Sequence, residues 1–286
     1  MKYRAIAHQA TRYGIRPLCR ILEVSASGYY AWRKRPLSPR AAENRRLVAT
    51  MTQVHAEIDP NYGSPRMCTE LQVQELACSE NRAARLMRAN GLVAKTTRRY
   101  RSLTKPGRRP AAPDLVQRQF TVAEPNRVWA TDITYIPTAE GHLLLAVVMD
   151  LYNRQVVGMA MREQLGAELV SAALQQAVAR RSVAPGLIHH SDRDGLYSCA
   201  AYRHLLAQHG MVPSNSRKGN CWDNAVVESF FAVLKREKVA FERFRSRAEA
   251  RRSLFAWIEG HYNRRRRHST LGNLSPVEFA ECQNRP

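Results

Sequence analysis

Three carboxylates in this chain sit where they are better suited to chemistry than to solvation. Asp132 lies inside the strand-like run Val128–Ile136, Asp192 ends a second such run from Leu187, and Glu228 falls in the helix-like stretch Asp223–Lys235. Carboxylates gathered from separate elements are what a pair of Mg²⁺ ions needs to promote in-line phosphoryl transfer. A charged Asp in an apolar strand costs several kcal/mol unless it is paired or neutralised, and a bound cation resolves that conflict. Glu228 and Lys235 are seven residues apart and return to nearly the same helix azimuth, while Val227, Phe230, Phe231 and Leu234 occupy another face. Spacing alone is weak evidence. Asp192 and Glu228 have 35 residues between them, but 7 Asp and 17 Glu in 286 residues give about 0.4 such pairs by chance. The specificity lies in the flanking residues.

The elements that must carry these groups follow from hydropathy period. Strand-like runs cover Val128–Ile136, Leu143–Leu151, Val156–Met161, Leu187–Ser191 and a short Met211–Ser214; helix-like runs cover Gly166–Arg181, Ala200–Gln208 and Asp223–Lys238. Tyr152-Asn153-Arg154 reads as the turn of a hairpin. Three strands in succession followed by alternating helices and strands predict an α/β fold, a mixed five-stranded sheet with flanking helices. The front half reads as helical. Ile15–Arg35 is a compact helix-turn-helix ended by Pro36 and Pro39, Ala41–Glu57 a longer helix, and Ser64–Leu76 with Ser79–Asn90 a second helical pair closed by Asn90-Gly91. The expected organisation is therefore a helix-turn-helix-like segment at 1–37, a second helical DNA-binding region at 38–95 and a basic linker at 96–119. A catalytic core at 120–240 and a helical C-terminal extension at 241–286 complete it.

Charge separates these regions. The chain carries 45 Lys and Arg against 24 Asp and Glu, a net charge of +21. Residues 1–119 hold a net +15, residues 120–240 only +1 and residues 241–286 +5. That asymmetry predicts a DNA-gripping front half joined to a near-neutral core. There is no apolar run long enough for a membrane span and no signal-peptide core, and the six Cys form no Cys-x-x-Cys pair, which predicts reduced thiols in a cytoplasmic protein. Arg82, Arg85 and Arg88 line one broad side of a helix and are expected to face DNA. Arg264, Arg265, Arg266 and Arg267, flanked by Tyr262, Asn263 and His268, are expected to do the same. Arg217, Lys218, Asn224 and Lys235 cluster around the third carboxylate, where they favour substrate phosphate. His189 and His190 have no ligand-spaced partners and are not read as metal ligands, His190 being read as a strand-end support. Asp150 ends the second strand, where it could reach the site but is read first as a hairpin hydrogen-bonding residue; Trp222 is either core packing or a base-stacking wedge.

Asp132, Asp192 and Glu228, with the 35-residue interval and the basic Lys235, resemble the acidic triad of DDE transposases and retroviral integrases. The flanking text Ser216-Arg-Lys-Gly-Asn-Cys-Trp-Asp-Asn224, Glu228-Ser-Phe-Phe and Tyr262-Asn-Arg-Arg-Arg-Arg-His-Ser-Thr-Leu-Gly272, then Ser275-Pro276, resembles the second-reading-frame transposases of the insertion-sequence-three family, from about Tyr3 to about Phe279. The resemblance implies an RNase H-like integrase core behind a helix-turn-helix. It implies two Mg²⁺ or Mn²⁺ ions held by the triad, cleavage at element ends, and 3′-OH attack on a second phosphodiester of double-stranded DNA, through a circular excised intermediate. It also implies fusion to an upstream reading-frame product, homo-oligomerisation on DNA, and work in the bacterial cytoplasm at the nucleoid. The chain departs from the family after the second Asp, where Arg193-Asp194-Gly195-Leu196-Tyr197 replaces a Gly-Ser-Gln-Tyr-like stretch and adds a carboxylate beside the site. Two rival readings of the same residues are a nuclease that cuts without joining and a DNA-binding regulator with a dead core.

Overall fold

A computed structural model describes residues 2–34, 38–94, 112–217 and 221–283. The basic run Arg98–Arg109 of the expected linker and Lys218 lie outside the described residues. Six helices come first: α1 (Lys2–Tyr13), α2 (Ile15–Ile21), α3 (Ala26–Lys34), α4 (Pro39–Glu57), α5 (Ser64–Val73) and α6 (Glu80–Ala89). Ser38 and Ser79 cap α4 and α6, their side chains accepting from the amides of Ala41 and Arg82. A five-stranded sheet follows, with β1 (Val128–Thr138), β2 (Gly141–Asp150), β3 (Val156–Arg162), β4 (Ile188–Ser191) and β5 (Val212–Asn215) in the order β3-β2-β1-β4-β5. β1, β2 and β3 run antiparallel; β4 and β5 join parallel to β1. Around the sheet lie α7 (Ala167–Arg180), α8 (Ala200–Gln208), α9 (Ala225–Glu237), α10 (Arg247–Ala256) and α11 (Pro276–Gln283). This is the mixed sheet with flanking helices that the alternating pattern predicts.

Strand alternation divides the core into two layers. Leu143, Leu145, Val147 and Met149 of β2 face the layer that holds Phe230, Phe231 and Leu234 of α9; Leu144, Ala146 and Val148 face α7 and α8. β2 is covered on both faces and buried throughout from Leu143 to Asp150. On the α7 side the approach is so close that a Cβ on Gly158 would stand 2.2 Å from the Ala173 carbonyl oxygen, so only glycine lets α7 seat on β3. The α9 layer draws on residues from both sides of the interval 120–240. Val116 is buried in it, and so are Leu254, Trp257, Ile258 and Tyr262 of α10 and the π-helical turn after it. Asn263 is buried as well and bonds both the amide and the carbonyl of Val156, pinning the start of edge strand β3.

The helices α4–α6 have their own core of Leu47, Met51, Met67, Leu71 and Leu86, and dock on the C-terminal region through polar contacts. Asn61 donates to the Glu237 carbonyl, Tyr62 donates to the Arg265 carbonyl and accepts from the Arg267 amide, and Arg267 pairs with Glu70. No helix among the described residues is long and apolar enough to cross a membrane.

His189 and His268 give this fold an acid limit. Burial, then the neighbouring charge of His190, takes His189 from its ordinary 6.5 down to about 3. Burial, then Arg266, Arg66 and Arg154, does the same for His268. Both rings stay neutral in the folded chain, while the unfolded chain takes up protons below about pH 6.5. Their contribution is therefore intact above pH 6.5 and lost as pH falls toward 3, by up to ~1.4 kcal/mol per pH unit for each ring. Urea unfolding of the parent and of His268→Asn from pH 7 to 4 should show the parent losing ground steadily to the variant. Parallel curves would contradict this.

Candidate active site

The sheet register sets the first two carboxylates side by side. Ala130 of β1 pairs with His190 of parallel β4, and Asp132 and Asp192 each lie two residues beyond that pair. Side chains two residues apart share a face, so Asp132 points to the side on which Ala130 and Ile136 meet α9. Glu228, exposed in the first turn of α9, and Lys235, half-buried two turns on, come from the helix that lies there. Val227, Phe230, Phe231 and Leu234 are buried beneath them and fix the rotation of the helix.

The three carboxylates feel one another. Burial first, then the charge of Asp192, raises the Asp132 carboxyl to about 8. A bond from the Ile133 amide and the charge of Lys235 pull it down, and Glu228 pushes it up. Burial also raises Asp192, opposed by a bond from the Asp194 amide and reinforced by the Asp194 charge. Glu228, exposed as a residue, is raised by partial desolvation of its carboxyl and then by Asp192. Burial lowers Lys235, and Asp132 acts against that. None of the three carboxylates makes an ion pair among the described residues. All-oxygen donors that raise one another's pKa and lack a paired cation fit hard divalent cations.

A second set of residues holds the frame of this site. Asn215 donates to the Ser191 hydroxyl (2.9 Å) and the Asp192 carbonyl (3.0 Å), fixing the end of β4. His190 contacts the Ser214 hydroxyl at 2.9 Å and the Asp223 carbonyl at 3.1 Å, linking β4 and β5 to the start of α9. Asp223 is fully buried and gripped by the Arg217 guanidinium and amide and by Arg118, which together hold its carboxyl far below the usual range. Sequence reasoning missed Asp223, Asn215 and Arg118. The Asn224 side chain makes no cap bond to α9 and donates to the Thr131 carbonyl beside Asp132.

Several residues expected to meet DNA are occupied elsewhere. Arg82 is turned to bind both oxygens of Glu43 and the Asn44 side-chain Oδ1, tying α6 to α4, while Arg85 and Arg88 remain exposed. Arg264 and Arg265 are exposed; Arg266 and Arg267, 3% and 8% exposed, form buried pairs with Glu237 and Glu70. Tyr262 and Asn263 are buried too. Arg217 clamps Asp223 with a side chain that is still 55% exposed, while Asn224 is 5% exposed and turned inward. Of the four residues expected near the third carboxylate, Lys235 is the one seen to face the triad. His189 meets the Tyr202 hydroxyl at 3.1 Å, and Asp150 accepts from the Asn126 and Tyr152 amides, both structural roles, the second as read from the sequence.

Among the described residues, the group whose donor atoms all lie within 4.8 Å of one another is Asp59, Glu237 and His261, at the junction of α4–α6 with the C-terminal region. Arg266 bonds both oxygens of Glu237 and Arg66 lies 3.6 Å away, so cationic charge is already supplied there. That group is an ion network between two parts of the fold. The triad is the cation-poor site.

Residues 122–221 and 209–276 match models of the integrase core domain, and residues 42–100 match an HTH-like domain. The 31 kDa protein of insertion element IS600 from Shigella sonnei is 40% identical over 92% of this chain and 97% of its own length. The transposase InsF for insertion sequence IS3A from Escherichia coli (strain K12) is 39% identical over 98% of both chains. Among solved structures, the catalytic core domain of BIV integrase is a looser likeness, 18% identical over 55% of this chain and 96% of its own, with a TM-score of 0.41. Agreement with these curated relatives runs from end to end, and the chain belongs to the IS3 family of insertion-sequence transposases.

Proposed function

We propose that the chain cuts DNA at the ends of its element and joins the freed 3′-OH to a second phosphodiester, with Asp132, Asp192 and Glu228 as the residues that hold two Mg²⁺ or Mn²⁺ ions. The observation that carries this reading is the placement of Asp132 on β1 abreast of Asp192, just past the end of the neighbouring parallel strand β4, with Glu228 and Lys235 of α9 acting on Asp132 electrostatically. The integrase core family depends on a divalent metal. Bound at these carboxylates, the ions would supply Lewis acidity to the attacking and leaving oxygens of an in-line displacement. The residues themselves do the rest. Asn215 and His190 hold the β4 end, Asn224 and Asp223 hold the start of α9, and Lys235 offers a cation beside the recess for the scissile phosphate. Arg85, Arg88, Arg264 and Arg265 remain free to grip the duplex. Fusion to an upstream reading-frame product, assembly of several copies on paired ends, and action at the nucleoid in the cytoplasm belong to the same proposal. The test is a labelled duplex carrying the element ends, incubated with Mg²⁺. Joined products are expected; cut products alone would make the chain a nuclease, and neither would make it a binding protein.

The extra carboxylate refines the assignment. The Asp194 side chain accepts from the Leu196 amide and closes a turn, while its own amide donates to Asp192. Asp192 is the ligand and Asp194 a modulator that adds negative charge beside it. Asp192→Asn should be inactive in metal-dependent cleavage, and Asp194→Gly should match or exceed the parent. The reverse ranking would move the site.

A further inference from the structure

Residues 2–34 form a unit that the HTH-like match, which begins at 42, does not reach. Ile6, Cys19 and Tyr29 are its buried core, with Tyr3, Leu18, Leu22, Val24 and Trp32 packed around them. Helices α2 and α3 are joined by a tight turn in which the Leu22 amide bonds the Leu18 carbonyl, the Val24 amide bonds the Cys19 carbonyl, and Glu23 takes a φ of 51°. Ser25 accepts from the Gly28 amide at 3.0 Å and fixes the start of α3. The Tyr3 ring packs on Tyr29 and Trp32, ring centroids 6.2 Å and 5.7 Å away, so α1 braces α3 from behind. Two short helices, a tight turn and a bracing third helix make a helix-turn-helix.

The outer face of α3 is what such a unit presents. Ser27, Tyr30, Ala31 and Lys34 are exposed at the i, i+3, i+4, i+7 spacing of one helix stripe, with Arg33 exposed beside them, while Tyr29 and Trp32 point inward. Tyr30 is 44% exposed, a large aromatic left on the surface. All seven lysines and arginines of residues 2–34 are exposed, against a single carboxylate, Glu23. The stripe combines a hydroxyl, a small residue, an aromatic phenol and a cation, and the same chain carries a second such unit in α5 and α6 with exposed Arg85 and Arg88.

We propose that α3 is a second DNA-reading helix, lying in the major groove with Tyr30 at the base edges and Arg33 and Lys34 at phosphates, so that the chain grips duplex DNA through two helix-turn-helix units. A helix about 10–12 Å across fits a groove about 12 Å wide, and contacts to base edges and phosphates divide the work of reading and holding. This inference rests on DNA as the substrate of the proposed function but not on strand cleavage.

The test uses the full chain in EDTA, where no cutting occurs, with random-sequence duplex DNA carrying 5-iodouracil in place of thymine, which sets the halogen in the major groove. Near-ultraviolet light should attach DNA to the tryptic peptide Ile21–Arg33 at Tyr30, and Tyr30→Ala should abolish that adduct. Arg33→Ala/Lys34→Ala, at two exposed positions, should lower duplex affinity and flatten the dependence of log K on log salt by roughly 1.8, two phosphate contacts at ~0.9 each. Adducts on α6 with none at Tyr30, or an unchanged salt slope in the double variant, would overturn the proposal. The second of these, with affinity intact, would leave the basic face of α3 to an acidic protein partner. A chain that cross-links through Tyr30 but never joins strands would support the second unit while sinking the strand-transfer reading.

Discussion

Glu228→Gln should bind DNA as tightly as the parent and cut almost none of it. The amide keeps the size of the side chain and removes its charge. Glu228 is exposed and makes no ion pair among the described residues, so the fold loses nothing with that charge. The site loses one of the three carboxylates; burial first, then Asp192 and to a lesser degree Glu228, raise Asp132 to about 8. Removing one preorganised electrostatic contributor to a charged transition state costs ~10²–10³ in rate, and loss of a metal-holding carboxylate should sit at or beyond the upper end. The measurement is paired: metal-dependent cleavage of a labelled duplex, and equilibrium binding of the same duplex in EDTA. Cleavage within tenfold of the parent would remove Glu228 from the site, and a parallel loss of binding would point to a structural role instead.

The largest stability effect should come from Glu237, at the far end of the same helix. Its carboxylate is 3% exposed and receives two bonds from Arg266, which is itself 4% exposed along its side chain, with Arg66 and Arg236 nearby. Glu237→Ala strands the Arg266 guanidinium in the interior without a counter-charge. Breaking one side of a buried pair costs roughly 3–5 kcal/mol, whereas replacing both partners with apolar residues of similar volume is often neutral. The single variant should therefore melt well below the parent, and Glu237→Met/Arg266→Leu should recover most of the loss. A double variant as unstable as the single would show that packing, and not the stranded charge, is what matters. Because Arg66 and Asn61 also meet Glu237, the single variant should loosen the α4–α6 unit from the core, seen as faster amide exchange in α5.

What the sequence makes legible here is local. The apolar strand-like runs place β1 to β3 and the period-3.6 runs place α7 to α9 within a few residues, because burial of each element is written in its own neighbours in sequence. The triad is legible for a related reason, since an Asp inside an apolar strand declares itself without any partner. Pairings across long sequence distances are not legible. Arg82, Arg266 and Arg267 look like members of basic stripes, but their carboxylates are Glu43, Glu237 and Glu70, 39, 29 and 197 residues away. A buried guanidinium and a DNA-facing one are written with the same letter. Asn224, expected beside a substrate phosphate, and Asp223, given no role from the sequence, are turned inward by the fold to Thr131 and Arg217.

The most direct test of the account is the location of the metal. Crystals of the full chain soaked in Mn²⁺ should show anomalous density among Asp132, Asp192 and Glu228, and none at Asp59, Glu237 and His261, where Arg266 and Arg66 already balance the charge. Manganese found at Asp59, Glu237 and His261 with the triad empty would contradict it.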